Sequence, residues 1–153
     1  MKALHNYFWL LLLCGTSSAF SQHIPYQRNG LVNFVGYEKN VLTVVSEHAG
    51  ETLEKAVNFA EINALETILF KGVPNSPAES PIISDEVEAM TKHPLVLRSF
   101  IFETGCRAYI KSSVIVGKSK KKKVHFVAQQ VTFDLAGMRK FLEKNGVIKP
   151  FGL

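Results

Sequence analysis

Cysteine is nearly absent: the 153 residues include two, Cys14 and Cys106. Two thiols cannot staple a domain of this size, so a disulfide scaffold is excluded and an apolar core must hold the fold. Histidine is sparse and scattered. Beyond residue 21 the four imidazoles are His23, His48, His93 and His125, and no two lie at the i, i+2 or i, i+4 spacing that aims a pair at one metal. The reading is no metal site and no cofactor. No serine occupies a Gly-x-Ser-x-Gly elbow, which removes the signature of one large hydrolase class. There is no internal repeat. Hydrophobic residues make up 46% and charged residues 20% of the chain, the balance of a folded domain, and the length suits one domain.

What is present begins at the amino terminus. Lys2 supplies a positive charge, residues 7–15 form an apolar run, and Ala19-Phe20-Ser21 offers a small-x-small cleavage site with Gln22 as the new terminus. This is the pattern of a secretory signal peptide over residues 1–21. It predicts an exported protein of the periplasm or cell envelope, or one secreted further. The apolar run is shorter than the ~20 residues a membrane span requires, so no transmembrane segment is expected after cleavage. Leu13 stands before Cys14, where lipidation calls for a small residue. The processed chain would keep Cys106 as a lone thiol and 17 basic against 13 acidic residues, a net charge of +4.

The rest reads as one α+β domain, residues 31–153, behind a flexible polar lead-in at 22–30. β-branched and aromatic runs at 31–37 and 41–45 predict a hairpin across Glu38-Lys39-Asn40. Leu53, Ala56, Val57, Ala60, Ala64, Leu65, Ile68 and Leu69 then fall on one helical stripe, stopped by Lys71-Gly72 and Pro74. Three prolines in 74–81 mark a loop. Ser84 is placed to cap a short helix with Asp85, Glu86 and Glu88 in its first turn, and Pro94 opens another helix that runs to Glu103. Strands at 107–116 and 124–133 form a second hairpin. Asp134 caps a final helix, 135–144, ended by Asn145-Gly146. The expected architecture is an antiparallel sheet of about four strands, two hairpins, packed by one long helix and a C-terminal helix.

A turn centred near Lys120 in the second hairpin fixes its faces. Ala108, Ile110, Val114, Val116, Val124, Phe126 and Ala128 would pack under the long helix. Tyr109, Val127, Val131 and Phe133 would share the opposite face with Ile115, which is too apolar for an ordinary solvent face. Two readings stand: cover by a second helix such as 94–103, or a protein-contact face.

Lys118, Lys120, Lys121, Lys122 and Lys123 put five ammonium groups at the hairpin tip. One reading is a solubilising, edge-protecting turn. The other is a contact for an anionic partner, for which an exported protein meets lipid headgroups and envelope phosphates. Nucleic acid is not expected, because no aromatics interleave with the lysines. Outside this turn the processed chain has 12 basic and 13 acidic residues. Gly117-Lys118-Ser119 imitates a phosphate-binding loop, but Ser112 occupies the required upstream glycine position and the segment joins two strands. Cys106 and His125 lie too far apart along the hairpin to form a nucleophile and base.

Val35-Gly36-Tyr37 followed by a helix with Ala56, Ala60 and Asn63-Ala64-Leu65 resembles small exported domains of Gram-negative bacteria. The N-terminal domain of flagellar assembly protein T and related small envelope lipoproteins have this strand-then-helix pattern, and the resemblance covers residues 31–72. Phe133-Asp134-Leu135 and Gly146-Val147-Ile148 are similar to segments of uncharacterised secreted bacterial proteins. The chain departs from the lipoproteins in lacking a lipobox. The resemblance implies an α+β envelope domain with a scaffolding or assembly role and no catalytic residues. An expected alternative is a small envelope enzyme with its site near the 74–81 loop, or a carrier of a small apolar ligand.

Overall fold

The computed structural model describes residues 23–103 and 105–150. The expected signal peptide and Cys14 lie outside the described residues.

Strand β1, Val32–Glu38, turns into β2, Val41–Gly50, through Lys39 and Asn40. Both turn residues take positive φ, 49° and 66°, the left-handed pair that lets a two-residue loop match the strand twist. Helix α1, Leu53–Glu66, follows at once. Its cap is Thr52, whose hydroxyl accepts the Lys55 N–H at 3.1 Å. Ala56, Ala60 and Ala64 are fully buried on this helix, and their small side chains let its backbone lie close to the sheet. The helix loosens into a π-helical segment, Thr67–Lys71, and ends at Gly72. There φ is +79°, and a Cβ would sit 1.7 Å from the Glu79 carbonyl oxygen, so only glycine fits the stop.

Two short helices follow, α2 at Glu86–Lys92 and α3 at Pro94–Phe102. The cap of α2 is Asp85, not Ser84: its carboxylate accepts the Glu88 N–H at 2.8 Å. A 3₁₀ segment, Gly105–Tyr109, leads into β3, Ile110–Lys121, which turns into β4, Val124–Asp134. Helix α4, Leu135–Lys144, closes the described fold. Asp134 caps it as expected, accepting from the Gly137 N–H at 2.9 Å. That bond holds the Asp134 carboxyl below its usual range, with Lys111 adding to the effect.

The four strands form one antiparallel sheet in the order β1-β2-β4-β3. The fold is therefore α+β, as expected. The strand pair β2 and β4 sets the two faces. Leu42, Val44, Ser46 and His48 stand opposite Phe133, Val131, Gln129 and Val127 on the inner face. Leu42, Val44, Val131 and Phe133 are fully buried, and they join Leu65, Ile68 and Leu69 of the first helix, Leu97 and Phe100 of α3, and Met138 and Leu142 of α4 in one core. Each such side chain contributes about 1.5–3 kcal/mol by leaving water. Phe100 and Phe141 stack at 4.9 Å between centroids and lock α3 to α4.

Candidate functional site

The lysines are built differently from the expected loop. β3 continues through Lys121, so the turn consists of Lys122 and Lys123, with Lys122 at φ 56°. Lys118, Lys120 and Lys121 pair with Val127, His125 and Val124. Strand alternation then puts Lys118 and Lys120 on one side of the hairpin and Lys121 on the other. All five ammonium groups are exposed, and none joins an ion pair among the described residues. Glu51 and Glu54 stand at the same end of the sheet, beside Gly50, and Glu51 is engaged by Lys55. Gly117-Lys118-Ser119 is plain strand, paired with Ala128, Val127 and Phe126, which removes the phosphate-loop reading.

The faces of the second hairpin are the reverse of the expected ones. Its paired residue numbers differ from those of a turn at Lys120 by an odd step, and bulges between Ile110 and Ser112 and between Ile115 and Gly117 shift them again. Alternation along β4 keeps Val127, Val131 and Phe133 together as expected, but the helices pack on their side of the sheet and not on the side of Val124, Phe126 and Ala128. Val127, Val131 and Phe133 are therefore core, buried under α1 and its neighbours, and do not form a contact face. Tyr109 is not on the sheet at all: it packs in the 3₁₀ segment against Phe100 and Phe141. Cover by helices, the other reading, is what the structure has. Conversely Val114, Val116 and Phe126, expected in the core, are 56%, 54% and 42% exposed.

These three belong to the outer face, which carries no described helix. Leu31, Val45, Ala49 and Ala128 extend the apolar area across it, broken by Glu47, Gln130 and a bonded Thr43–Thr132 pair at 3.0 Å. Val35 and Val116 are the extra residues of two bulges, and both point into solvent. Bulges of this kind re-aim side chains at sheet edges and binding sites.

A second cluster was not legible in the lead-in, which is fastened down. Glu66 of α1 is 2% exposed. One of its oxygens accepts from the Arg28 guanidinium at 2.6 Å, and the other from the Tyr26 hydroxyl. Arg28 also holds Glu86 of α2 at 2.7 and 2.9 Å and lies 5.1 Å over the Phe70 ring. Tyr26 stacks on His48, and His48 Nε2 meets the Gln27 carbonyl at 2.8 Å. Burial and the Glu66 carboxylate both push the Tyr26 phenol up. The hydrogen bond that Arg28 donates to Glu66 is the chief cause that raises the guanidinium. The available signal was period-two alternation: Ile24, Tyr26, Arg28 and Gly30 are the half-buried positions, in step with Val32 and Phe34.

Other polar groups converge without assembling a reaction centre. Ser113 donates to Glu61 at 2.5 Å and accepts from Gln129 at 2.7 Å, with no imidazole between hydroxyl and carboxylate to serve as a base. His125 sits opposite Lys120, at the far end of the sheet from Cys106. Burial, then the nearby Glu61 charge, pushes the Cys106 thiol up, which keeps it protonated and poorly nucleophilic. Among the described residues no group of three or more His, Cys, Asp and Glu is arranged to hold a metal. A cleft of about 730 Å³ lies between α2 and α4 over Ile82, Ile83, Ala89 and Val147. It is open, and its rim mixes Arg139, Lys92 and Lys149 with Asp85, Glu88 and Glu143. Residues 74–81 line neither this cleft nor three smaller ones; they close on themselves, with Val73 N–H donating to the Ala78 carbonyl, and Ile82 and Ile83 then donate to the Ile68 and Leu69 carbonyls of the π-helical segment.

No helix among the described residues is long and apolar enough to cross a membrane. No protein-family model matches the chain, and neither a curated protein nor a solved structure is significantly similar to it.

Proposed function

We propose that the chain is exported and works by contact, as a non-enzymatic scaffolding or interaction protein of the periplasm or cell envelope. The observation that carries the contact role is the outer sheet face. Helices cover one side of the sheet, while Leu31, Val114, Val116 and Phe126 remain in solvent on the other. An apolar area of this extent, rimmed by polar residues, marks an interaction site. The export role rests on residues 1–21, and the resemblance of 31–72 to small envelope domains points the same way.

The test of the contact role is a photocrosslinking residue placed at Val116, compared with one at Val87, which is exposed on α2. A discrete adduct from position 116 and none from position 87 is the expected outcome. Equal labelling from both, or none from either, would refute the outer-face role. Export is checked separately by fractionation and N-terminal sequencing: the processed chain should begin at Gln22, and a cytoplasmic chain that keeps Met1 would overturn it.

A further inference from the structure

The lysine tip points to a ligand that the outer face does not. We infer that the β3–β4 tip docks end-on against an anionic lipid bilayer, with its five lysines among the headgroups. The inference is independent of a protein partner on the outer face.

Charge complementarity selects the ligand. Lys118, Lys120, Lys121, Lys122 and Lys123 are all exposed and without ion pairs among the described residues. With Lys55 they outnumber Glu51 and Glu54 at that end of the sheet, and Glu51 is already occupied by Lys55. Geometry selects the planar form of the anion. Because side chains alternate, Lys118 and Lys120 leave one side of the hairpin and Lys121 the other, with Lys122 and Lys123 at the turn. A groove in a protein would have to wrap both sides to meet all five. A flat headgroup layer meets them together when the hairpin approaches by its tip.

The contact is carried by charge. Phe126 pairs with Ser119, farther from the turn than Lys120 to Lys123, so the lysines meet the headgroups before its ring does. No helix among the described residues crosses a membrane, so the contact is peripheral and reversible.

The experiment uses the chain from Gln22 onward, which contains every described residue and lacks the apolar run at 7–15. Flotation is measured with mixed phosphatidylglycerol–phosphatidylcholine vesicles and with pure phosphatidylcholine vesicles. Binding is expected to the mixed vesicles only and should fall steeply with salt. Each lysine near an anionic surface multiplies partitioning about fivefold, so changing Lys120, Lys121, Lys122 and Lys123 to Ser should lower it several hundredfold. The quadruple variant should keep the circular dichroism spectrum of the parent chain. Val87→Ser, exposed on α2 and outside both the tip and the outer face, should leave partitioning unchanged. Equal binding to both vesicle types, or full binding by the quadruple variant, overturns the inference. So does capture of the chain by soluble polyglutamate with no binding to vesicles, which would assign the tip to an acidic polypeptide.

Discussion

Arg28→Ala tests the polar cluster beneath the lead-in. Glu66 is nearly inaccessible, at 3% of its side chain, and Arg28 supplies the neutralising charge at 2.6 Å. Removing the guanidinium leaves a buried carboxylate with the Tyr26 hydroxyl alone and cuts the tie to Glu86. Breaking a fully buried pair costs roughly 3–5 kcal/mol. Arg28 is itself 27% exposed, so water entering the vacated space lowers the expected loss to about 2–3 kcal/mol. At the per-residue unfolding entropy of small domains this is a fall of about 10 °C in Tm. Urea unfolding followed by circular dichroism should show a lower midpoint with an unchanged slope. Glu66→Gln leaves Arg28 the amide oxygen as acceptor and turns the bond to Tyr26 round, the amide NH2 donating to the phenol oxygen, and should cost less. The double variant should lose less than the sum, because the second change removes the stranded charge. A loss under about 0.5 kcal/mol for Arg28→Ala, or strict additivity, would show that the lead-in carries no weight in the fold.

The face assignment gives a second prediction: Phe133→Ala should cost about 3–5 kcal/mol, whereas Val114→Ser should stay within about 0.5 kcal/mol. Similar losses for both in urea unfolding would contradict the register. Cys106 gives a third. A thiol raised on folding adds stability below its ordinary pKa, and loses that contribution as pH rises through the folded value. Thiol labelling at mildly alkaline pH should therefore be slow and should accelerate with urea in step with unfolding. Rapid stoichiometric labelling of the native chain would place Cys106 in solvent.

The elements were legible where their signals are local. Asp134 caps its helix three residues from the N–H group it satisfies, while the cap of α2 stands one residue beyond the expected Ser84. The first helix declares itself by a stripe repeated over five turns, and Gly72 ends it by a conformation few other residues adopt. The second hairpin was legible as two strands but not in register. Its turn, Lys122-Lys123, contains no Gly, Asn, Asp or Pro, and a run of identical residues gives no mark of where the chain reverses. Alternation sorted the side chains of β4 into two sets, but nothing local marks which set the helices cover, and core and surface were exchanged: Phe133 and Val131 for Phe126 and Val114. The Arg28–Glu66 contact spans 38 residues, and nothing in either neighbourhood names the other. The lysine cluster was visible as charge, but its two-sided presentation depends on β3 running through Lys121.

The strand order also governs when the molecule can become a molecule. β1, β2 and α1 are neighbours in sequence and form one early unit. Its second strand must then wait for β4, since Leu42 pairs with Phe133 and Val41 with Asp134. Until the distal half arrives, the inner residues Leu42 and Val44 and the stripe of the first helix have only one another to pack against. Closing so large a loop is entropically slow. A chain cut before residue 124 should behave as a collapsed, unfolded polypeptide. A chain that reaches its compartment unfolded would form its sheet only after the last strand has followed it there.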